Sequence, residues 1–152
     1  MIVRTAEPAD AAAINVLFDQ LGYPGQTLDD TSARIRAWQA DPSSTALVAD
    51  AGGELLGVVA VHVGPYFERA GSWARIVALV VSEQVRGQGI GGRLMSAAEQ
   101  FAAEHGCVRV ELSSSDRREA AHAFYQRRGY AVQTGQSSWF RRELTGAEAA
   151  RP

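Results

Sequence analysis

The apolar positions of this chain follow two rhythms. Strict alternation or short β-branched runs predict strands, and returns every third or fourth position predict helices. Ile2 to Thr5 reads as a short strand. Pro8 and Asp10 supply helix-start chemistry, and Ile14, Leu17, Phe18 and Leu21 then recur at helical spacing until Gly22-Tyr23-Pro24-Gly25 breaks the pattern. A second helix is predicted from Thr27 to Ala40, with Leu28, Ile35 and Trp38 inward, ending at Asp41-Pro42. Thr45 to Ala49 and the valine-rich stretch Leu55 to Val63 read as strands joined by a hairpin turn at Asp50-Ala51-Gly52-Gly53. Gly64-Pro65 ends the second of them. Tyr66 to Ser72 makes a loop, and Trp73 to Val81 is a further strand. A long amphipathic helix spans Ile90 to Glu104. After the stop at His105-Gly106 come a strand from Val108 to Ser113, a helix from Glu119 to Arg128, and two closing strands, Tyr130 to Thr134 and Trp139 to Leu144.

The predicted order is β-α-α-β-β-β-α-β-α-β-β. The hairpins imply antiparallel pairing, whereas the strand-helix-strand unit from Ile76 to Ser113 implies a parallel pair with a right-handed crossover. The fold class is therefore α/β (α+β), a mixed central sheet with helices on both faces. One domain is expected over residues 1–144, followed by a small, polar, frayed tail over 145–152. No internal repeat, linker or low-complexity segment interrupts it.

Composition narrows the function. A chain of 152 residues suits one domain with its own core. Its formal net charge of -2 argues against nucleic acid as main partner, because counterion release rewards a basic surface. No apolar run approaches the roughly 20 residues that cross a bilayer, and Met1-Ile2-Val3-Arg4-Thr5 opens no secretory signal. The expectation is a cytoplasmic protein with no membrane partner. The single cysteine, Cys107, excludes an internal disulfide and reads as a small core residue. The histidines, His62, His105 and His122, are too widely spaced for a metal site; no metal is expected.

The chemistry-bearing segment is Arg86-Gly87-Gln88-Gly89-Ile90-Gly91-Gly92, between an apolar strand and a helix. Glycines let backbone approach an anion closely. The N–H groups that open a helix have no partner inside it, and the helix dipole favours negative charge there. The segment is a seat for a phosphate or pyrophosphate. Gly87-x-Gly89-x-x-Gly92 also matches the dinucleotide fingerprint, with Glu111 near the spacing of a ribose-binding acid. Against that, Ser82 to Arg86 separates strand from glycines, and hairpins precede the unit. A P-loop is excluded, because no Lys-Ser/Thr pair follows the glycines.

Arg86-x-x-Gly89-x-Gly91 after an apolar strand resembles the acyl-CoA signature of the GNAT superfamily of N-acetyltransferases. Downstream, Ala121-His122-Ala123-Phe124-Tyr125-Gln126-Arg127-Arg128-Gly129-Tyr130 resembles that superfamily's helix ending in a Phe-Tyr pair, a basic turn and a Gly-aromatic step. The resemblance extends in element order from Ile2 to Leu144. It implies acetyl-CoA as co-substrate, held by Leu79, Val80 and Val81 along the strand edge and by backbone N–H groups of Arg86, Gly87, Gln88, Gly89, Ile90, Gly91 and Gly92. Arg86 and Arg93 would add charge near the phosphates. Many relatives carry an asparagine where this chain has Arg118; Arg118-x-x-Ala121-His122-x-Phe124-Tyr125 resembles a common subset instead. Arg118, Arg127 and Arg128 are expected either to form a solvated basic helix face or to reach the nucleotide's 3′-phosphate.

The implied reaction is direct attack of a neutral amine on the thioester, with no covalent enzyme intermediate. A backbone N–H near Leu79 would stabilise the oxyanion, and Tyr125 would protonate the departing thiolate. Glu68, Glu111 and His62 are the candidate carriers of the amine's proton. The acceptor is expected near Tyr23-Pro24-Gly25 and near Tyr66, Phe67 and Trp73. The reading is acetyl transfer from acetyl-CoA to a primary amine of a small molecule. Alternatives are a protein N-terminus or lysine as acceptor, and a non-catalytic acyl-CoA-binding regulatory module. A homodimer is compatible with the resemblance.

Overall fold

The computed structural model describes residues 1–114 and 118–145. Its chain falls into two compact units, residues 1–113 and residues 114–152.

The first unit is built on one five-stranded sheet in the order β1-β2-β3-β4-β5. Its strands are β1 (Ile2–Thr5), β2 (Ser44–Ala51), β3 (Glu54–Pro65), β4 (Ser72–Val81) and β5 (Cys107–Glu111). The helices are α1 (Ala11–Leu21), entered through a 3-10 turn at Pro8–Asp10, α2 (Leu28–Ala40) and α3 (Ile90–Glu104). β1 to β4 pair antiparallel in sequence order, and β5 runs parallel to β4. Gly52 and Gly53 turn the β2–β3 hairpin with φ of +67° and +101°, the mirror-image turn whose twist matches its strands. α3 supplies the crossover that a parallel pair requires.

Local chemistry sets the helix ends. The Thr27 hydroxyl caps α2 by accepting from the Asp30 N–H, and Gly22 closes α1 in the left-handed conformation. Thr31 and Ile35 are the buried positions of α2. Leu28, expected inward, is 55% exposed. Helical phase puts it on the correct stripe, but burial also needs an opposing element, which periodicity cannot supply.

The two faces of the sheet carry different cores. Ile14, Leu17 and Ile35 from α1 and α2 pack with Val48, Val58 and Val80 on one face. On the other, Leu94, Met95, Ala98 and Ala102 of α3 are fully buried. A Cβ on Gly57 would lie 2.9 Å from Leu94 Cδ1, so the missing side chain is what admits the helix to β3. β3 is buried on both faces, which accounts for its run of valines.

In the second unit, α4 (Glu119–Arg127) ends at Gly129, which has a φ of +92°. The two closing strands predicted from Tyr130 to Leu144 are not formed. Among the described residues there, only an isolated bridge between Thr134 and Ser137 remains, and residues 131–145 are exposed. Alternation marks a segment able to extend, but a pair of strands without a third is marginal in water. The predicted tail lies, apart from Thr145, outside the described residues.

Candidate functional site

β4 pairs with β5 over Ser72 to Arg75 only. From Ile76 to Val81 it keeps β3 on one side, while its other edge has no strand partner among the described residues. A bulge sits at the parting: Ala60 faces Ala78, Val61 faces Ile76, and Val77 is the extra residue. Bulges bend the strand that carries them. Strand polar groups that lack a ladder must find partners elsewhere, so this edge can hydrogen-bond the amides of an extended ligand.

At the end of that edge, Ser82 is buried and its N–H is bonded to Leu56 O at 2.8 Å. The chain then makes a 3-10 turn, Glu83–Val85. The Glu83 N–H donates to Gln20 Oε1 of α1 at 3.0 Å, which ties the turn to the opposite helix layer. Gly87 and Gly89 follow with φ of +80° and +82°. A Cβ at either would meet nothing within 4 Å. The demand for glycine is therefore conformational: the left-handed backbone turns the amides outward. The N–H groups of Arg86 to Gly92 find no acceptor among the described residues, and no side chain caps α3. A row of free amides at the positive end of a fifteen-residue helix is a fit for a pyrophosphate.

The predicted contact residues divide by what their side chains do. Val80 and Ile90 are buried, which leaves only their backbone for a ligand. Leu79 and Val81 are half-buried on the unpaired stretch. Arg86 lies on the surface and donates from Nε to Val81 O at 3.2 Å. Arg93, expected near phosphates, reaches Met1 O at 3.4 Å instead.

Tyr125 lies in the second unit, half-buried between Phe124 and Tyr130, whose rings are 5.3 and 6.0 Å away. Burial raises its phenol above the ordinary tyrosine range, and Arg118 pulls weakly the other way. A phenol so placed keeps its proton at neutral pH and can donate it. The Arg128 guanidinium stands 6.0 Å from the Phe124 ring.

Among the base candidates, Glu68 is exposed on its loop. Glu111 is ion-paired with Arg75 at 3.0 Å. His62 Nδ1 lies 2.7 Å from Ser44 Oγ, which donates to Asp41 Oδ2 at 2.8 Å. Tyr66 is flanked by the Arg69 and Arg109 guanidiniums, and Trp73 packs beside His62. Burial pushes the Cys107 thiol up, which disfavours a thiolate nucleophile. Sequence reasoning missed Gln20, Ser44 and Asp41. Gln20 carries no signal at all, whereas Asp41-Pro42 reads only as a helix stop.

The sequence matches the Acetyltransferase (GNAT) family over residues 12–130. It is 32% identical over 141 residues to an uncharacterised N-acetyltransferase of Bacillus subtilis, covering 89% of this chain and 93% of that one. A second relative, aminoalkylphosphonate N-acetyltransferase of Salmonella typhimurium, is 37% identical over 90 residues, or 59% of this chain and 58% of its own. In fold, the chain is similar to an aminoglycoside N-acetyltransferase solved in complex with CoA. The TM-score is 0.80 at 17% identity, covering 95% of each.

Proposed function

The chain belongs to the acetyltransferase (GNAT) family and is an acetyl-CoA-dependent N-acetyltransferase, and from that premise we propose that its acceptor is the primary amine of a small molecule. In this reading the unpaired edge at Leu79, Val80 and Val81 bonds the pantetheine arm, and the amides of Arg86 to Gly92 hold the pyrophosphate. A backbone N–H at Leu79 faces the thioester oxygen, and Tyr125 donates the proton to the leaving sulfur. Bringing amine and carbonyl into contact supplies several kcal/mol of the barrier reduction before any proton moves. Binding of CoA requires Arg86 to release the Val81 carbonyl, which frees its charge for the phosphates. The observation that carries the reading is the run of acceptorless amides beyond the unpaired stretch of β4.

The relative that acts on aminoalkylphosphonates makes 2-aminoethylphosphonate the first amine to try. The test has two parts. Thermal shift with acetyl-CoA, CoA and NADPH reports the cofactor, since only a ligand of the native state raises the midpoint. Thiol release with an amine panel reports transfer. Stabilisation by NADPH alone rejects the cofactor seat. CoA binding without thiol release across the panel leaves a binding module, and the enzyme assignment to small amines fails.

A further inference from the structure

Ser44, His62, Arg75 and Glu111 stand in register across β2, β3, β4 and β5. Directly paired residues share a face, so this polar row runs across one side of the sheet. The next rows on that side are Ala46, Ala60 and Ala78, then Val48, Val58 and Val80. Those valines belong to the core beneath α1 and α2. The polar row therefore borders the core at the point where β4 and β5 part, with His62 at its centre.

The protons around His62 can be assigned. Asp41 Oδ1 accepts from the Ser43 N–H at 2.9 Å, and Oδ2 accepts from the Ser44 hydroxyl at 2.8 Å. The Ser43 N–H, then the Ser44 hydroxyl, hold the Asp41 carboxyl below the usual range, so it is ionised and has no proton to give. The one Ser44 proton goes to Asp41. Ser44 Oγ must then accept from His62 Nδ1, 2.7 Å away. The neutral ring carries its proton on Nδ1 and its lone pair on Nε2. Trp73 walls the ring, with centroids 5.8 Å apart. A Cβ at Gly64 would lie 2.5 Å from that indole, so the glycine makes room for it. The His62 side chain is 41% exposed, open enough to trade protons with water. The charged and titratable neighbours are Asp41, the Arg75–Glu111 pair on β4 and β5, and His105 just past the end of α3, whose Nε2 lies 3.1 Å from Pro42 O.

Resting on the acetyl-transfer reading, we propose that His62 Nε2 accepts the proton that the acceptor ammonium must lose, and that Ser44 and Asp41 are positioning residues that hold the required tautomer. Leu79 pairs with Val59, three residues along β3 from His62. Three residues of strand span about 10 Å, so the proton crosses by way of bridging water. The ammonium passes one proton through that water to Nε2. Its nitrogen lone pair then forms the C–N bond at the thioester carbon, and the C–S bond breaks with its electron pair leaving on sulfur. The nitrogen loses its second proton as the amide forms, the thiolate takes up one proton, and His62 returns its own to solvent. One proton is released per turnover.

The test follows thiol release from acetyl-CoA against pH with 2-aminoethylphosphonate, 1,4-diaminobutane and glycinamide, for the full chain and its H62Q, S44A and D41N variants. H62Q is expected to lower kcat about 100-fold at neutral pH, leave the acetyl-CoA KM unchanged and abolish the acid limb of the profile. S44A and D41N are expected to lower kcat with the acetyl-CoA KM unchanged and to lose the Nδ1–H preference of the His62 ring. A ¹⁵N–¹H imidazole spectrum of the unaltered protein reports the tautomer whatever the variants do. An Nδ1–H ring at His62 supports the relay, and an Nε2–H ring overturns it. Wild-type turnover and an unmoved acid limb in H62Q overturn the base role. An unaltered protein that binds acetyl-CoA but releases no thiol with any of the three amines defeats the reading beneath, and the base role with it.

Discussion

Replacing Gly89 by alanine tests the phosphate seat without touching its space. The residue opens α3 at φ +82°, and a Cβ there would meet nothing within 4 Å. No clash contributes, so the whole cost is backbone strain. Left-handed conformation costs an L-residue about 1–2 kcal/mol. The chain can bear that strain in place or relieve it by rotating the turn. Strain retained appears as stability: for a chain of this size about 1 kcal/mol moves Tm by roughly 2–4 °C. Strain relieved appears as binding: the outward amides are lost, and about 1.4 kcal/mol is a tenfold rise in Kd. Gly22→Ala is the control, since it carries φ +105° with equally open space at the end of α1. Calorimetric titration with acetyl-CoA and a thermal melt should therefore show Gly22→Ala losing stability alone. Gly89→Ala should lose a comparable total, with up to tenfold weaker acetyl-CoA binding as its own signature. If Gly89→Ala matches the unaltered protein in both Kd and Tm, the turn does not need its left-handed backbone, and the seat is assigned wrongly.

Three further outcomes are expected. Tyr125→Phe should lower kcat by about 100-fold while far-UV dichroism stays unchanged; full turnover under conditions where chemistry limits the rate would remove Tyr125 as the acid. Leu94→Ala should destabilise by about 2–5 kcal/mol in urea, because it empties a fully buried site against Gly57; a loss below about 1 kcal/mol would mean that α3 collapses onto the sheet. The Arg4 guanidinium, bonded to Asp10 at 2.9 Å, and the Glu7 N–H hold the Asp10 carboxyl below its usual range. A depressed carboxylate contributes stability above the unfolded value near 3.9 that is lost as pH falls through the native one. Asp10→Asn should therefore be less stable than the unaltered chain at pH 6, with the difference shrinking below about pH 4; a gap that stays constant to pH 2 refutes the linkage.

Much of this fold was legible along the chain, for local reasons. α3 runs from Ile90 to Glu104 as its periodicity predicted. The hairpin closes at Gly52-Gly53 because only glycine enters that turn cheaply. The glycine segment was readable because its demand is on single-residue φ angles. The loss of the closing strands and the exposure of Leu28 were not, since each depends on a neighbour that sequence spacing does not name. The candidate site divides the same way: the amides of Arg86 to Gly92 follow from the motif, whereas the Gln20 contact to Glu83 joins residues 63 positions apart.

By itself the amino-acid sequence determined the elements from β1 to α4, their order and the left-handed glycine turn, because those rest on interactions within a few residues. Tertiary structure alone decided where β4 leaves β5, which edge therefore stays unpaired, and which polar side chains meet around His62. These depend on strand register and on a bulge at Val77. Register is set by packing two faces of a sheet at once, and no stretch of the chain carries that information alone.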